Sequence, residues 1–185
     1  MSQIAYSSVP AWARPGDLAA TTTPAPTGRS YLLVGVGDVG EVLARWESEL
    51  APRPITRIHG DVDSAGDRLA GALSDATVGT RVWIAADAGA ALQLRAIALA
   101  SGLEDDEIDV LATPSDEAGT IDVFCVHCRA VNRVQAQVDD VVPCAGCRRD
   151  LLVYHHVSRR TGQYLGFQVD AETAPPPPAG QEVES

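Results

Sequence analysis

Four cysteines constrain this chain more than any other feature. They are its only cysteines and they come in two pairs: Cys125-Val126-His127-Cys128, then fifteen residues, then Cys144-Ala145-Gly146-Cys147. Two thiolates separated by two residues can wrap one ion on a tight turn, and two such turns complete a tetrahedral set. The spacing fits the pattern of zinc ribbons, in which about 15–20 residues separate two C-x2-C pairs. Cys125, Cys128, Cys144 and Cys147 are therefore the candidate metal ligands. Four thiolates leave no open coordination position, so a zinc there is structural and its work is to fold a small β module. A four-sulfur site also suits iron in a rubredoxin-like electron-transfer role, and ligand type alone leaves both metals open. His127, inside the first loop, is expected at the surface and not among the ligands.

Charge narrows the partners. The chain of 185 residues carries a net charge of −11, and all fourteen of its basic residues are arginine. Such an acidic chain does not suit a phosphate backbone or an anionic membrane. Residues 121–170 differ: six arginines against five aspartates give +1, which leaves −12 on the rest. No apolar run approaches the ~20 residues of a membrane span, and the first twenty residues do not read as a secretory signal. A cytoplasmic location is the expectation, and there paired cysteines bind metal more often than they form disulfides.

Residues 1–28, rich in Pro, Thr, Ser and Ala, read as a flexible N-terminal arm. Trp12 within it reads either as a docking anchor or as part of a tail folded back on its own domain. Residues 29–115 alternate strand-like and helix-like segments. Tyr31–Val34, Pro54–His59, Arg81–Ala86 and Ile108–Ala112 are the expected strands. Asp38–Leu50, Ser64–Ala76 with Ser64 as cap, and a helix from Asp87 to a stop at Gly102 lie between them. Such alternation predicts a small Rossmann-like, three-layer parallel sheet. From 120 to 170 the texture becomes that of a zinc-ribbon-like β module. One valine-rich strand-like stretch covers Val131–Val142, and Leu151–Val157 and Tyr164–Val169 are joined by a hairpin turn at Thr161-Gly162. Residues 171–185, with Pro175–Pro178, read as a disordered tail.

Two further motifs bear on chemistry. Gly35-Val36-Gly37-Asp38-Val39-Gly40 matches GxGxxG between a strand and a helix, so Gly35, Gly37 and Gly40, with Asp61 as ribose-binding acid, form a candidate dinucleotide site. Asp38 and the small size of the domain count against it, and a plain strand–helix turn is the competing reading. The second motif is Tyr154-His155-His156-Val157-Ser158-Arg159-Arg160. Strand alternation puts Tyr154 and His156 on one face and His155 on the other. With Arg148, Arg149 and Tyr164 these residues form a candidate patch for partner contact. A nucleic-acid-binding ribbon is the competing use of the same patch. No Ser/His/Asp or His-pair constellation appears, so no catalytic residue is assigned.

The strings Phe124-Cys125-Val126-His127-Cys128, Cys144-Ala145-Gly146-Cys147, Leu152–Arg160, Tyr164-Leu165-Gly166-Phe167 and Asp170-Ala171-Glu172 together resemble the small subunit of bacterial dimethylamine monooxygenases. The likeness covers roughly residues 120–172. Val82–Asp87 with Gly102-Leu103 is similar to the last part of a ferredoxin-reductase-type nicotinamide domain, shortened and degenerate. The resemblance implies a multi-subunit enzyme, dependent on NADPH and O2, that N-demethylates dimethylamine. It implies haem, FMN and a 2Fe-2S cluster on partner oxygenase and reductase subunits and not on this chain. This subunit would then be a non-catalytic scaffold that holds those partners in register.

Overall fold

The computed structural model describes residues 7–14, 26–114 and 119–169. Short apolar runs ending in glycine or alanine form a four-stranded parallel sheet, sheet A. Its strands are β1 (Ser30–Val36), β2 (Ile55–Gly60), β3 (Thr80–Ala86) and β4 (Ile108–Ala112), in the order β2-β1-β3-β4. The two inner strands are buried on both faces, as strands covered on both sides must be.

Alternation along those strands divides the core. Tyr31, Leu33 and Trp83 face α1 (Gly40–Leu50), whose Leu43, Trp46 and Leu50 sit at helical spacing. The Trp83 ring meets Tyr31 and Trp46 edge-on at 5.3 and 5.4 Å. Leu32, Val34, Val82 and Ile84 point the other way, toward Leu69 and Leu73 of α2 (Val62–Ser74) and Leu94 and Ala98 of α3 (Ala88–Ala100). Asp87 caps α3, accepting from the Gly89 and Ala90 N–H groups. At the other end Gly102 and Leu103 donate back to Leu99 and Ala98, which closes the helix where expected. The cap of α2 differs from expectation. It is Asp61 and not Ser64, because the Asp61 carboxylate accepts from the Asp63 and Ser64 N–H groups and from the Ser64 hydroxyl. Ser64 lies inside the first turn, and the helix begins two residues earlier than the sequence predicts.

Sheet B is five-stranded, in the order β6-β5-β9-β8-β7, from β5 (Thr120–Cys125), β6 (Val131–Gln135), β7 (Val141–Pro143), β8 (Asp150–Val157) and β9 (Tyr164–Gln168). Only β5 and β9 pair parallel. The single strand-like stretch expected over 131–142 is two strands on opposite edges of this sheet. Asp139, at φ 75°, and Asp140, whose carboxylate accepts from Gln137 N–H, turn the chain between them.

Helix α3 belongs to both sheets. It is apolar over most of its circumference, AGAALQLRAIALA, with only Gln93 and Arg95 polar, and a helix of that kind must be covered on more than one side. Leu92 joins the core of sheet B, with Ile121, Val123, Val153, Val157 and Tyr164. Two glycines permit the approach. A Cβ on Gly89 would lie 2.1 Å from the Thr120 carbonyl oxygen, and one on Gly162 would lie 2.5 Å from that of Leu92. Arg133 of β6 bridges the same seam, bonding Asp122, Asp63 of α2 and Gln93 of α3.

Residues 7–14 are not the flexible arm expected over 1–28. Ser7 Oγ donates to the His155 carbonyl, and Ser8 Oγ accepts from Val157 N–H at 2.8 Å. Val9 and Ala13 are buried, and Trp12 packs against the cores of both sheets. The folded-back reading of Trp12 holds, because the indole bridges a seam that two sheets and α3 leave open. Most of the rest of that arm, and all of the tail read over 171–185, lie outside the described residues.

Candidate metal centre

The two C-x-x-C turns are near copies. In each, the first cysteine carbonyl accepts from the N–H four residues on: Cys125 from Arg129, and Cys144 from Arg148, both at 2.8 Å. In each, the first cysteine N–H donates to the carbonyl five residues on, Ala130 or Arg149, at 2.9 Å. Arg129 and Arg148 both take the left-handed conformation, at φ 64° and 60°. The repeat C-x-x-C-R thus folds twice into one shape. The first turn ends β5, and the second lies between β7 and β8.

The turns face each other. Cys125 Sγ is 3.8 Å from Cys147 Sγ, and Cys128 Sγ is 3.5 Å from Cys144 Sγ. All four sulfurs lie within 4.8 Å of one another. A tetrahedron with metal–sulfur bonds of ~2.3 Å has edges of about 3.8 Å, so the set fits a four-thiolate ion. It does not fit disulfides, whose sulfurs stand about 2.05 Å apart. Cys125 and Cys144 are buried, Cys147 is half-buried and Cys128 is exposed. His127 is exposed beside the ligands.

The local electrostatics prepare part of the set. The Cys147 N–H, and then that of Gly146, hold the Cys144 thiol down to about 6 against the cost of burial. At Cys128 the Ala130 N–H favours the thiolate, but desolvation and the three neighbouring sulfurs outweigh it and push the thiol up to about 11.

Asn132 escaped the sequence reading. It is 4% exposed and is the one inward-facing polar residue of β6. Its amide donates to the Val123 carbonyl at 3.2 Å and reaches Cys144 Sγ at 3.7 Å, while its Oδ1 accepts from Ala145 N–H at 2.8 Å. One side chain therefore ties the strand that carries the first turn to the backbone of the second. The available signal was alternation: Val131-Asn132-Arg133-Val134 puts an amide on the face where a strand next to a cysteine turn needs one.

The expected partner patch does not come together. Arg148 and Arg149 precede β8, whereas Arg159 and Arg160 follow it. Eight extended residues separate the pairs by roughly 26 Å. Arg159 lies 3.7 Å from Asp105 near the seam with α3, while Arg149 donates to Gln168 near the metal end. His155 and Tyr164, 5% and 4% exposed, face the core of sheet B and not the surface. Tyr154 and His156 do share the outer face, and Tyr154 packs edge-on against Phe167 at 5.2 Å.

In the GxGxxG turn Gly35 and Gly37 have uses without a nucleotide, and Gly40 has none that the packing shows. Gly35 gives way to Val39 and Leu43 of the α1 start, and Gly37 takes φ 80°. The Gly37 carbonyl contacts His59 Nε2 at 2.9 Å. Asp61 caps α2, and the Ser64 N–H, then its hydroxyl, hold that carboxyl below its ordinary value. A Cβ on Gly40 would meet nothing.

The comparisons with known proteins agree on one lineage. The model of the C-terminal domain of DmmA-like dimethylamine monooxygenase subunits matches residues 122–167, which hold all four cysteines. Over 151 residues the chain is 34% identical to the heme-dependent oxidative N-demethylase delta subunit of Ectopseudomonas mendocina (strain ymp), covering 80% of this chain and 83% of that relative. No solved structure matches.

Proposed function

The chain belongs to the family of DmmA-like dimethylamine monooxygenase subunits, and from that premise we propose that it is the small, non-catalytic subunit of a complex that oxidatively N-demethylates dimethylamine with NADPH and O2. One observation carries the reading. The chain's single concentrated set of chemical groups among the described residues is a closed four-thiolate site with no position for substrate. The subunit's contribution is then architectural. A zinc-ribbon-like module over 120–170, stapled by Cys125, Cys128, Cys144 and Cys147, stands on a Rossmann-like α/β domain over 29–115. It holds oxygenase and reductase subunits that carry haem, FMN and a 2Fe-2S cluster. Zinc in this set supplies charge neutralisation and cross-linking of two turns, with no role in turnover.

The test is reconstitution. Formaldehyde release from dimethylamine is measured with the oxygenase and reductase subunits in the presence and absence of this chain. Activity that requires the chain, with one equivalent of zinc and no visible absorbance in it, supports the reading. A red chain that bleaches on reduction would replace it with an electron-transfer iron. Full activity without the chain would sink the scaffold role.

A further inference from the structure

The outer face of sheet B carries a row of apolar side chains, and only its Asp122/Arg133 end is tied to the rest of the described chain, through Asp63 of α2 and Gln93 of α3. Its inner face is covered by α3, through Leu92, and by Val9 and Ala13. On the outer face, register lines up one continuous row. Val131 of β6 pairs with Phe124 of β5, and Phe124 pairs with Leu165 of β9. Two residues along, Phe167 of β9 pairs with Leu152 of β8, and Leu152 pairs with Val141 of β7. The row crosses all five strands. Among the large hydrophobics left exposed, Val131 (47%), Val141 (53%) and Phe167 (40%) stand on it. An apolar face that spans a whole sheet marks an interaction site in a soluble domain.

Charge identifies what covers it. Arg129, Arg148 and Arg149 stand in and beside the two cysteine turns at the metal end of sheet B; Arg149 donates to Gln168, and none of the three has an ion-pair partner among the described residues. A groove lined by Val141, Arg148, Arg149, Asp150, Gln168 and Val169 opens at that rim. On the face itself Asp122 is already bound to Arg133. A second copy of this chain related by a twofold axis parallel to the strands would set these arginines against their own copies, whereas a partner with carboxylates at that rim would pair with them. We infer that the outer face of sheet B is the docking surface for another subunit of the demethylase, one presenting an apolar patch flanked by carboxylates. This inference rests on the subunit reading above and moves the contact from the arginine cluster around Tyr154–Arg160 to the row from Val131 to Val141.

Co-expression with the other subunits of the N-demethylase tests it, reading the affinity of the purified chain for the partner subassembly. Two variants are compared with the native chain. Val141→Glu/Phe167→Glu changes two apolar positions of the row, and Arg149→Glu leaves the apolar row and the left-handed Arg148 of the metal turn intact. Both are expected to keep one metal per chain and to stay folded at the binding temperature; the first gives up the Phe167–Tyr154 contact, so its fold is checked by its own unfolding midpoint. The first should lose at least tenfold in affinity. The second should lose several-fold at low salt and less at high salt. Native-like binding by both folded variants overturns the inference while leaving the subunit reading in place. A native chain that fails to enter the complex overturns the subunit reading and the inference with it. An isolated native chain that dimerises, and becomes monomeric as Val141→Glu/Phe167→Glu, would assign the face to self-association instead.

Discussion

At the scale of single residues, two arginines and one asparagine decide how the metal turns are held. Arg129 and Arg148 occupy the left-handed position that closes each turn, a conformation that costs a side-chain-bearing residue about 1–2 kcal/mol. Relief and aggravation of that strain are both testable. Arg129→Gly should leave stability unchanged or raise it by up to ~1 kcal/mol. Arg129→Val, β-branched at positive φ, should lower it by about 1–2 kcal/mol, read as urea midpoints at constant metal loading. Asn132→Ala strips the partner from Ala145 N–H and one hydrogen bond from Val123. It should cost about 1–3 kcal/mol and weaken metal affinity by roughly 10–100-fold in chelator competition. An Asn132→Ala chain that holds its metal as tightly as the native one would show that the turns hold themselves. In a metal-free chain that kept both turns folded, the thiols would add a pH dependence. Cys144 is held down to about 6 from an ordinary value near 9, so its contribution is full above 9 and fades as pH falls through 6. Cys128 is pushed up to about 11, so its contribution is full below 9 and fades as pH rises through 11. Both contributions vanish when sheet B opens, so the expected metal-free curve has no maximum near pH 9, and a midpoint that does peak there would show the two turns still folded without the ion.

At the scale of elements, α3 is the piece on which both sheets converge, and small residues make that possible. Gly89→Ala would drive a methyl into the Thr120 carbonyl, and should cost about 1–3 kcal/mol because backbone and not a movable side chain is in the way. Gly71→Ala, in α2 with nothing within 4 Å of the added carbon, should raise stability by about 0.8–1 kcal/mol. Thermal midpoints of the two variants separate close packing from helix propensity. Sheet A was legible in the sequence because its signals are local: Tyr31–Val34 and Val82–Ala86 are unbroken apolar runs, and Asp87 and Gly102 bracket a helix by rules that act within one turn. The four-cysteine set was legible because each turn is two residues wide. What was not legible is long-range. Val131–Val142 reads as one strand until Asp139 turns it, and β6 and β7 then go to opposite edges. Arg148-Arg149 and Arg159-Arg160 look adjacent on paper, but β8 is extended and carries them apart. Ser7 and Ser8 sit in a proline-rich stretch without periodicity, and their partners, the backbones of His155 and Val157, are about 150 residues away.

At the scale of the whole molecule, the two sheets depend on different things. Sheet A has a parallel core closed by helices on both faces, with Trp83, Leu33, Val34 and Ile84 almost wholly buried. Sheet B has a thinner core in which Cys125 and Cys144 are themselves buried members. A module of this size is marginal without a staple, and the four thiols, brought within 4.8 Å, lose their reason to be together when no ion neutralises them. Removing the metal from the full chain with a chelator should therefore open one sheet and spare the other. In hydrogen exchange, β5 to β9 should lose protection, while β1 to β4, α1 and α2 keep theirs. α3 should fall to an intermediate value, because its Leu94 and Ala98 remain on sheet A while Leu92 loses its cover. Residues 7–14 should open with sheet B, since Ser7 and Ser8 are bonded to β8. A single cooperative loss of protection over both sheets would mean that α3 welds them into one folding unit. Unchanged protection in β5 to β9 would mean that the packing of Ile121, Val123, Leu151 and Val153 suffices without the ion.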